Sequence, residues 1–203
     1  MNLPNKLSIL RTLLSILMII LLYTLKSVMI GAFDLKYIIL GITFVVGSIT
    51  DYLDGKIARK NNLITNFGKF IDPLADKVLV LTALVIMVEI GKIPAWIPVI
   101  VLMREFAVSG YRLVMASSKG EVIAASKWGK IKTSTQMFAI TILMIFPGNF
   151  CEFIRTKNIA GNNNLVLLTL NIIGSILMII SVIATIFSGY DYLKNGKELL
   201  KDA

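Results

Sequence analysis

Four aspartates, Asp51, Asp54, Asp72 and Asp76, stand in two pairs on either side of a short polar turn, in surroundings that are otherwise apolar. An ionised side chain at membrane depth costs at least ~2.5–3.5 kcal/mol on insertion scales, so four together need a compensating partner, most naturally metal ions. On a helix of 3.6 residues per turn, Asp51 and Asp54 lie within about 60° of each other, and Asp72 and Asp76 within about 40°. Two such faces in contact form a cage of carboxylate oxygens. Hard oxygen ligands without imidazole or thiolate select Mg2+, Mn2+ or Ca2+, and four carboxylates suit two divalent ions better than one. Gly55 and Gly68 remove side chains where a ligand or neighbouring backbone would clash, Ala58 keeps the same surface low, and Arg59 offers a bidentate fork to a phosphate. This is the equipment of phosphoryl transfer, in which metal ions hold a pyrophosphate and one carboxylate takes a proton from the attacking hydroxyl. Asp76, at the far end of the cage, is the candidate general base. Simple pairing of the aspartates with Lys56, Arg59, Lys69 and Lys77 would leave the glycines and the paired spacing without a role.

These residues need helices to carry them, and the apolar runs say where. The apolar run Tyr37 to Ile49 is too short to span, since about 20 residues are needed to cross the hydrocarbon, so the helix must continue through Asp51 and Asp54. After Lys77 the run Val78 to Val88 is also too short, so Asp72 and Asp76 belong to the next spanning helix. Both pairs therefore face each other at one membrane edge across the turn Lys60 to Asn66. Pro73 marks either a kink or a helix start capped by Asp72. The remaining spans read as Ile9 to Leu25, Ile93 to about Ser117, about Thr133 to Phe146, and about Leu165 to Tyr192. At the entry to the first span, Asn5, Ser8 and Arg11 follow at intervals of three and lean towards a polar site at that edge. Arg104 and Arg112 share a face of span four, since eight residues drift only about 80°. The expected architecture is all-α: a polytopic membrane protein of six transmembrane helices with an N-terminal interfacial helix start, in a single domain over 1–203.

Composition agrees. The 203 residues are 56% hydrophobic and 16% charged, outside the range of ordinary soluble domains. Histidine is absent, which excludes imidazole zinc sites and Ser-His-Asp triads, and the lone Cys151 cannot form an internal disulfide. The formal net charge of +9 reads as topology and anionic lipid, not nucleic acid. Six spans put both termini on one face, and that face carries 16 of the 21 Lys and Arg residues when Arg104 and Arg112 on span four are counted with it, which makes it cytoplasmic.

Asp51, Asp54-Gly55, Ala58-Arg59, Gly68, Asp72 and Asp76 match without a gap, at fixed spacing, the signature of the CDP-alcohol phosphatidyltransferase family, and the opening PNKLSILR resembles its usual lead-in. The resemblance implies a bacterial inner-membrane enzyme, a homodimer, that attacks CDP-diacylglycerol with an alcohol and releases CMP. It makes the four aspartates ligands of two Mg2+ or Mn2+ ions, with Asp76 also the general base, and gives Gly55, Ala58, Arg59 and Gly68 to the CDP pocket. The segments REFAVSGYR and GKIKTS resemble those of the family's phosphatidylglycerophosphate synthases, which implies sn-glycerol 3-phosphate as acceptor. Arg104, Arg112, Lys130, Lys132 and Thr133 would hold its dianionic phosphate. Inositol phosphate, serine or phosphatidylglycerol are alternative acceptors. A divalent-cation carrier is a more distant alternative, disfavoured because the outer halves of the spans carry almost no acids.

Overall fold

The computed structural model describes residues 3–61, 66–118, 127–155 and 164–195, with the side chains of 3–4, 52–73, 112–127, 193 and 195 excepted. Six long helices dominate: α1 (Leu3–Thr24), α2 (Leu35–Asn61), α3 (Asn66–Glu89), α4 (Trp96–Ser118), α5 (Lys127–Ile145) and α7 (Leu165–Asn195). A single turn, α6 (Glu152–Arg155), sits in the connection before α7. A two-stranded antiparallel hairpin, β1 (Met29–Ile30) with β2 (Phe33–Asp34), joins α1 to α2 and was not foreseen from the apolar runs. Gly31 takes the left-handed conformation that this tight reversal needs (φ 63°). Asp34 then caps α2, accepting a 2.9 Å hydrogen bond from the Lys36 amide, as Asn164 caps α7 through the Val166 amide.

The principal packings close into a ring: α1 on α2, α2 on α5, α5 on α7, α7 on α4, α4 on α3, and α3 back on α1, with α3 also reaching α2 and α5. Successive long helices run antiparallel, which the contacts at the two ends make plain. At one end Arg11 meets Asp51, Lys77 and Lys132 meet Glu105, and Trp128 stacks on Phe187 at 5.2 Å. At the other, Phe33 packs edge-on to Phe146, Trp96 to Phe150, and Lys92 donates to the Phe146 carbonyl at 2.6 Å beneath the Tyr37 ring.

The bundle keeps an apolar core that includes Leu40, Phe44, Leu84, Ile140 and Met178, but it threads polar residues between its helices and leaves large apolar ones outside. Ser8, Arg11, Ser15, Gln136, Asn171, Ser175, Ser181, Thr185 and Ser188 are buried, whereas Leu13, Ile16, Phe106, Phe138, Val166 and Ile186 are exposed. Small polar residues between helices and large apolar ones outside are the pattern of helices packed in lipid. Among the described residues, two helices are long and apolar enough to cross a membrane, α1 over Asn5–Thr24 and α7 over Leu165–Tyr192. The other four long helices interrupt their apolar runs with ionisable residues, and those residues build the site.

Several boundaries differ from expectation. Helix α3 begins at Asn66 and runs through Pro73, so Asp72 is not its cap. A proline inside a packed helix is tolerated where neighbouring helices satisfy the freed carbonyl. Helix α5 begins at Lys127, six residues before the apolar run at Thr133, because lysine favours helix and an apolar run marks lipid depth, not helix length. The N-terminal start runs without a break into the rest of α1.

Candidate active site

The site lies at the end of the bundle where α1 begins and α2 ends. Arg11 on α1 is wholly buried, and its guanidinium stands 2.7 Å from the Asp51 carboxylate on α2. Asp76 on α3 is close enough to Asp51, Arg11, Lys132 and Glu105 for their charges to act on it, so five helices converge on one electrostatic unit. Asn5 and Ser8 are buried on the same α1 face as Arg11. The side chains of Asp54, Gly55, Ala58, Arg59, Gly68, Asp72 and Arg112 lie outside the described residues, so the full carboxylate cage does too.

Among the described residues no three acidic or thiol groups converge on one point. Asp51 and Asp76 nevertheless come from two different helices into mutual electrostatic range, an arrangement that leaves like charges facing each other. Their hard oxygen donors fit a divalent cation, and helices α2 and α3 also carry Asp54 and Asp72 in the adjacent turns.

Beside Asp76 a cavity of about 90 Å3 opens between α3, α4 and α5. Its polar lining is Asp76, Lys77, Arg104, Glu105, Lys132, Thr133 and Gln136, over a floor of Val80, Leu81, Val101 and Met137. Glu105 organises the cations: Lys132 and Arg104 both donate to its Oε1, the latter at 2.9 Å, and Lys77 stands 4.0 Å from its Oε2. Lys77 also donates to Ser109 on α4. Arg104 is fixed from the far side by α7, donating to Ser188 and lying 5.9 Å over the Tyr192 ring, with Gly189 leaving room for its stem. Three cations against two carboxylates, Glu105 and Asp76, leave the cavity net positive, which favours an anion.

The structure thus brings Arg104, Lys132 and Thr133 to the cavity beside Asp76. Lys130 is exposed and does not line it. Lys77, Glu105 and Gln136 were not singled out as site residues from the sequence. Glu105 could have been found as an acid deep in an apolar run, where an ionisable group needs a partner. Lys77 and Gln136 required knowing how α3 and α5 pack.

The profile of the CDP-alcohol phosphatidyltransferase family matches residues 1–187. The chain is 38% identical over 205 residues to the CDP-diacylglycerol–glycerol-3-phosphate 3-phosphatidyltransferase of Bacillus subtilis (strain 168), covering 98% of this chain and 97% of the relative. It is 36% identical over 198 residues to the enzyme of the same name from Rickettsia typhi, covering 97% of each, and 37% identical over 163 residues to that of Haemophilus influenzae, covering 78% and 77%. With a helical bundle of lipid-type packing and a carboxylate and cation site at one end, the chain belongs to the CDP-alcohol phosphatidyltransferase family. Relatives matched over nearly their whole length carry the glycerol-3-phosphate transferase name.

Proposed function

We propose that this chain transfers the phosphatidyl group of CDP-diacylglycerol to sn-glycerol 3-phosphate, giving phosphatidylglycerophosphate and CMP. The observation that carries the acceptor is the cationic cavity of Lys77, Arg104 and Lys132 opening beside Asp76. A neutral acceptor such as serine would not call for three cations there. The full-length relatives named for this reaction support the same reading.

In the mechanism, Lys132, Arg104 and Thr133 hold the acceptor's phosphate so that its 1-hydroxyl points at the carboxylate site. Asp76 takes the hydroxyl proton as the oxygen bonds to the phosphatidyl phosphorus. The bond from that phosphorus to the CMP oxygen breaks, and CMP leaves. Asp51, Asp54, Asp72 and Asp76 would hold two Mg2+ or Mn2+ ions, which when bound supply neutralisation of the pyrophosphate. Arg11 keeps Asp51 turned inward, and Asn5 and Ser8 support that helix face. Gly55, Ala58, Arg59 and Gly68 form the CDP pocket, and Arg112 joins the acceptor cations. The chain is one membrane domain over 1–203 with six spans and both termini cytoplasmic, in a bacterial inner membrane as a homodimer. A site at the basic edge lets a soluble acceptor meet a lipid-anchored donor.

The test is CMP release from labelled CDP-diacylglycerol by purified protein with the acceptor and Mg2+ or Mn2+. Asp51→Ala and Asp76→Ala should each reduce it by at least about a hundredfold, the scale of losing positioned acid–base catalysis. Release that persists in either variant overturns the assignment.

A further inference from the structure

Gln136 is 2% exposed, yet its amide nitrogen has no hydrogen-bond partner among the described residues. It lines the same cavity as Lys132, which precedes it by one helical turn on α5. Since α5 starts at the site end, Gln136 lies about 6 Å deeper in the bundle than Lys132. Arg104 repeats the pattern: its two terminal nitrogens are used by Glu105 and Ser188, but its Nε is buried without a partner among the described residues. A buried donor left unsatisfied is destabilising, and two on residues that line one cavity from α4 and α5 are best explained by a ligand that supplies oxygen to both. With three cations against two carboxylates in its lining, the cavity favours an anionic source for that oxygen.

We propose that Gln136 is an acceptor-recognition residue, whose amide donates to the phosphate of a small polyol phosphomonoester at the inner end of the cavity. Arg104 Nε serves the same oxygens, and Lys132 supplies charge from above. A neutral amide at this depth adds direction without adding charge. It separates a phosphate, which accepts at several oxygens at once, from a carboxylate or hydroxyl that the lysines alone would also attract. This rests on the reading that the cavity takes the acceptor.

The experiment is steady-state kinetics of the full chain in detergent. Glycerol 3-phosphate is varied at saturating CDP-diacylglycerol, and the reverse, for the wild type, Gln136→Met, Gln136→Glu and Lys132→Ala. A lost hydrogen bond to a charged group should raise KM for glycerol 3-phosphate about tenfold or more in Gln136→Met, with kcat and the KM for CDP-diacylglycerol within about twofold. Gln136→Glu should raise it further by repulsion. The Tm of Gln136→Met should equal or exceed that of the wild type, because an apolar isostere removes an unsatisfied donor. An unchanged acceptor KM in Gln136→Met, alongside a raised one in Lys132→Ala, overturns the role of Gln136 alone. Unchanged values in both variants overturn the cavity as the acceptor site. A fall in kcat and Tm together in Gln136→Met assigns the residue to packing and also overturns the proposal.

Discussion

At Glu105 one carboxylate oxygen accepts from both Arg104 and Lys132, and Lys77 faces the other oxygen. Without that charge three cations would face one another in a partly buried space. Removing one partner of a buried charge cluster typically costs about 3–5 kcal/mol. Glu105→Gln keeps the shape, so a melting curve in detergent should show a clear drop in Tm. An unchanged Tm would mean the cations find other partners. Lys92 offers a residue-scale test at the opposite end. Burial holds its ammonium down to about 8, against the opposing pull of Glu152 and Asp34. Below about pH 8 the folded protein bears the full burden of a buried charge. Between about pH 8 and the ordinary lysine range the folded chain has released the proton while the unfolded chain keeps it. Stability should therefore rise with pH across that window, by at most about 3 kcal/mol. Lys92→Met should flatten that rise when Tm is followed from pH 7 to about 9.5. An identical slope in both proteins would contradict the assignment.

The helices approach closely where a side chain is missing. A β-carbon at Gly174 on α7 would lie 3.0 Å from the side chains of Ile142 and Leu143 on α5, and one at Gly41 on α2 would collide with Ile145. Overpacking of this kind costs about 1–3 kcal/mol, so Gly174→Leu should lower Tm by several degrees and loosen α7 from α5. A wild-type Tm would show that the two helices can separate freely. Because α7 also carries Ser188 and Tyr192 against Arg104, the same variant should weaken acceptor use. At this scale the long helices were largely legible, since the apolar runs locate each one and the shortness of two runs places aspartates on helices. Their true ends were not. Lys127 to Lys132 lie on α5 although they precede the apolar run, and α3 starts at Asn66 ahead of Pro73, because backbone helicity depends on neighbours that hydropathy does not register.

Across the whole molecule, six antiparallel helices in a closed ring bring residues from α1, α2, α3, α4 and α5 to one end. That the four aspartates lie on two consecutive helices was readable from the short apolar runs, and α2 and α3 carry them. The cationic cavity was only half readable. Arg104, Lys132 and Thr133 could be picked out as polar residues in or beside spans, but Glu105 between them, Lys77 behind Asp76 and Gln136 one turn deeper depend on how α3, α4 and α5 pack. We propose the division of labour that follows: carboxylates for the transfer and neighbouring cations for acceptor choice. Its most direct measurement is an acceptor competition: purified protein, CDP-diacylglycerol and equal concentrations of glycerol 3-phosphate, inositol phosphate, serine and phosphatidylglycerol, with the lipid products read by mass spectrometry. Phosphatidylglycerophosphate should be the dominant product, with its share falling in Lys132→Ala. A dominant phosphatidylserine, phosphatidylinositol phosphate or cardiolipin product would contradict it.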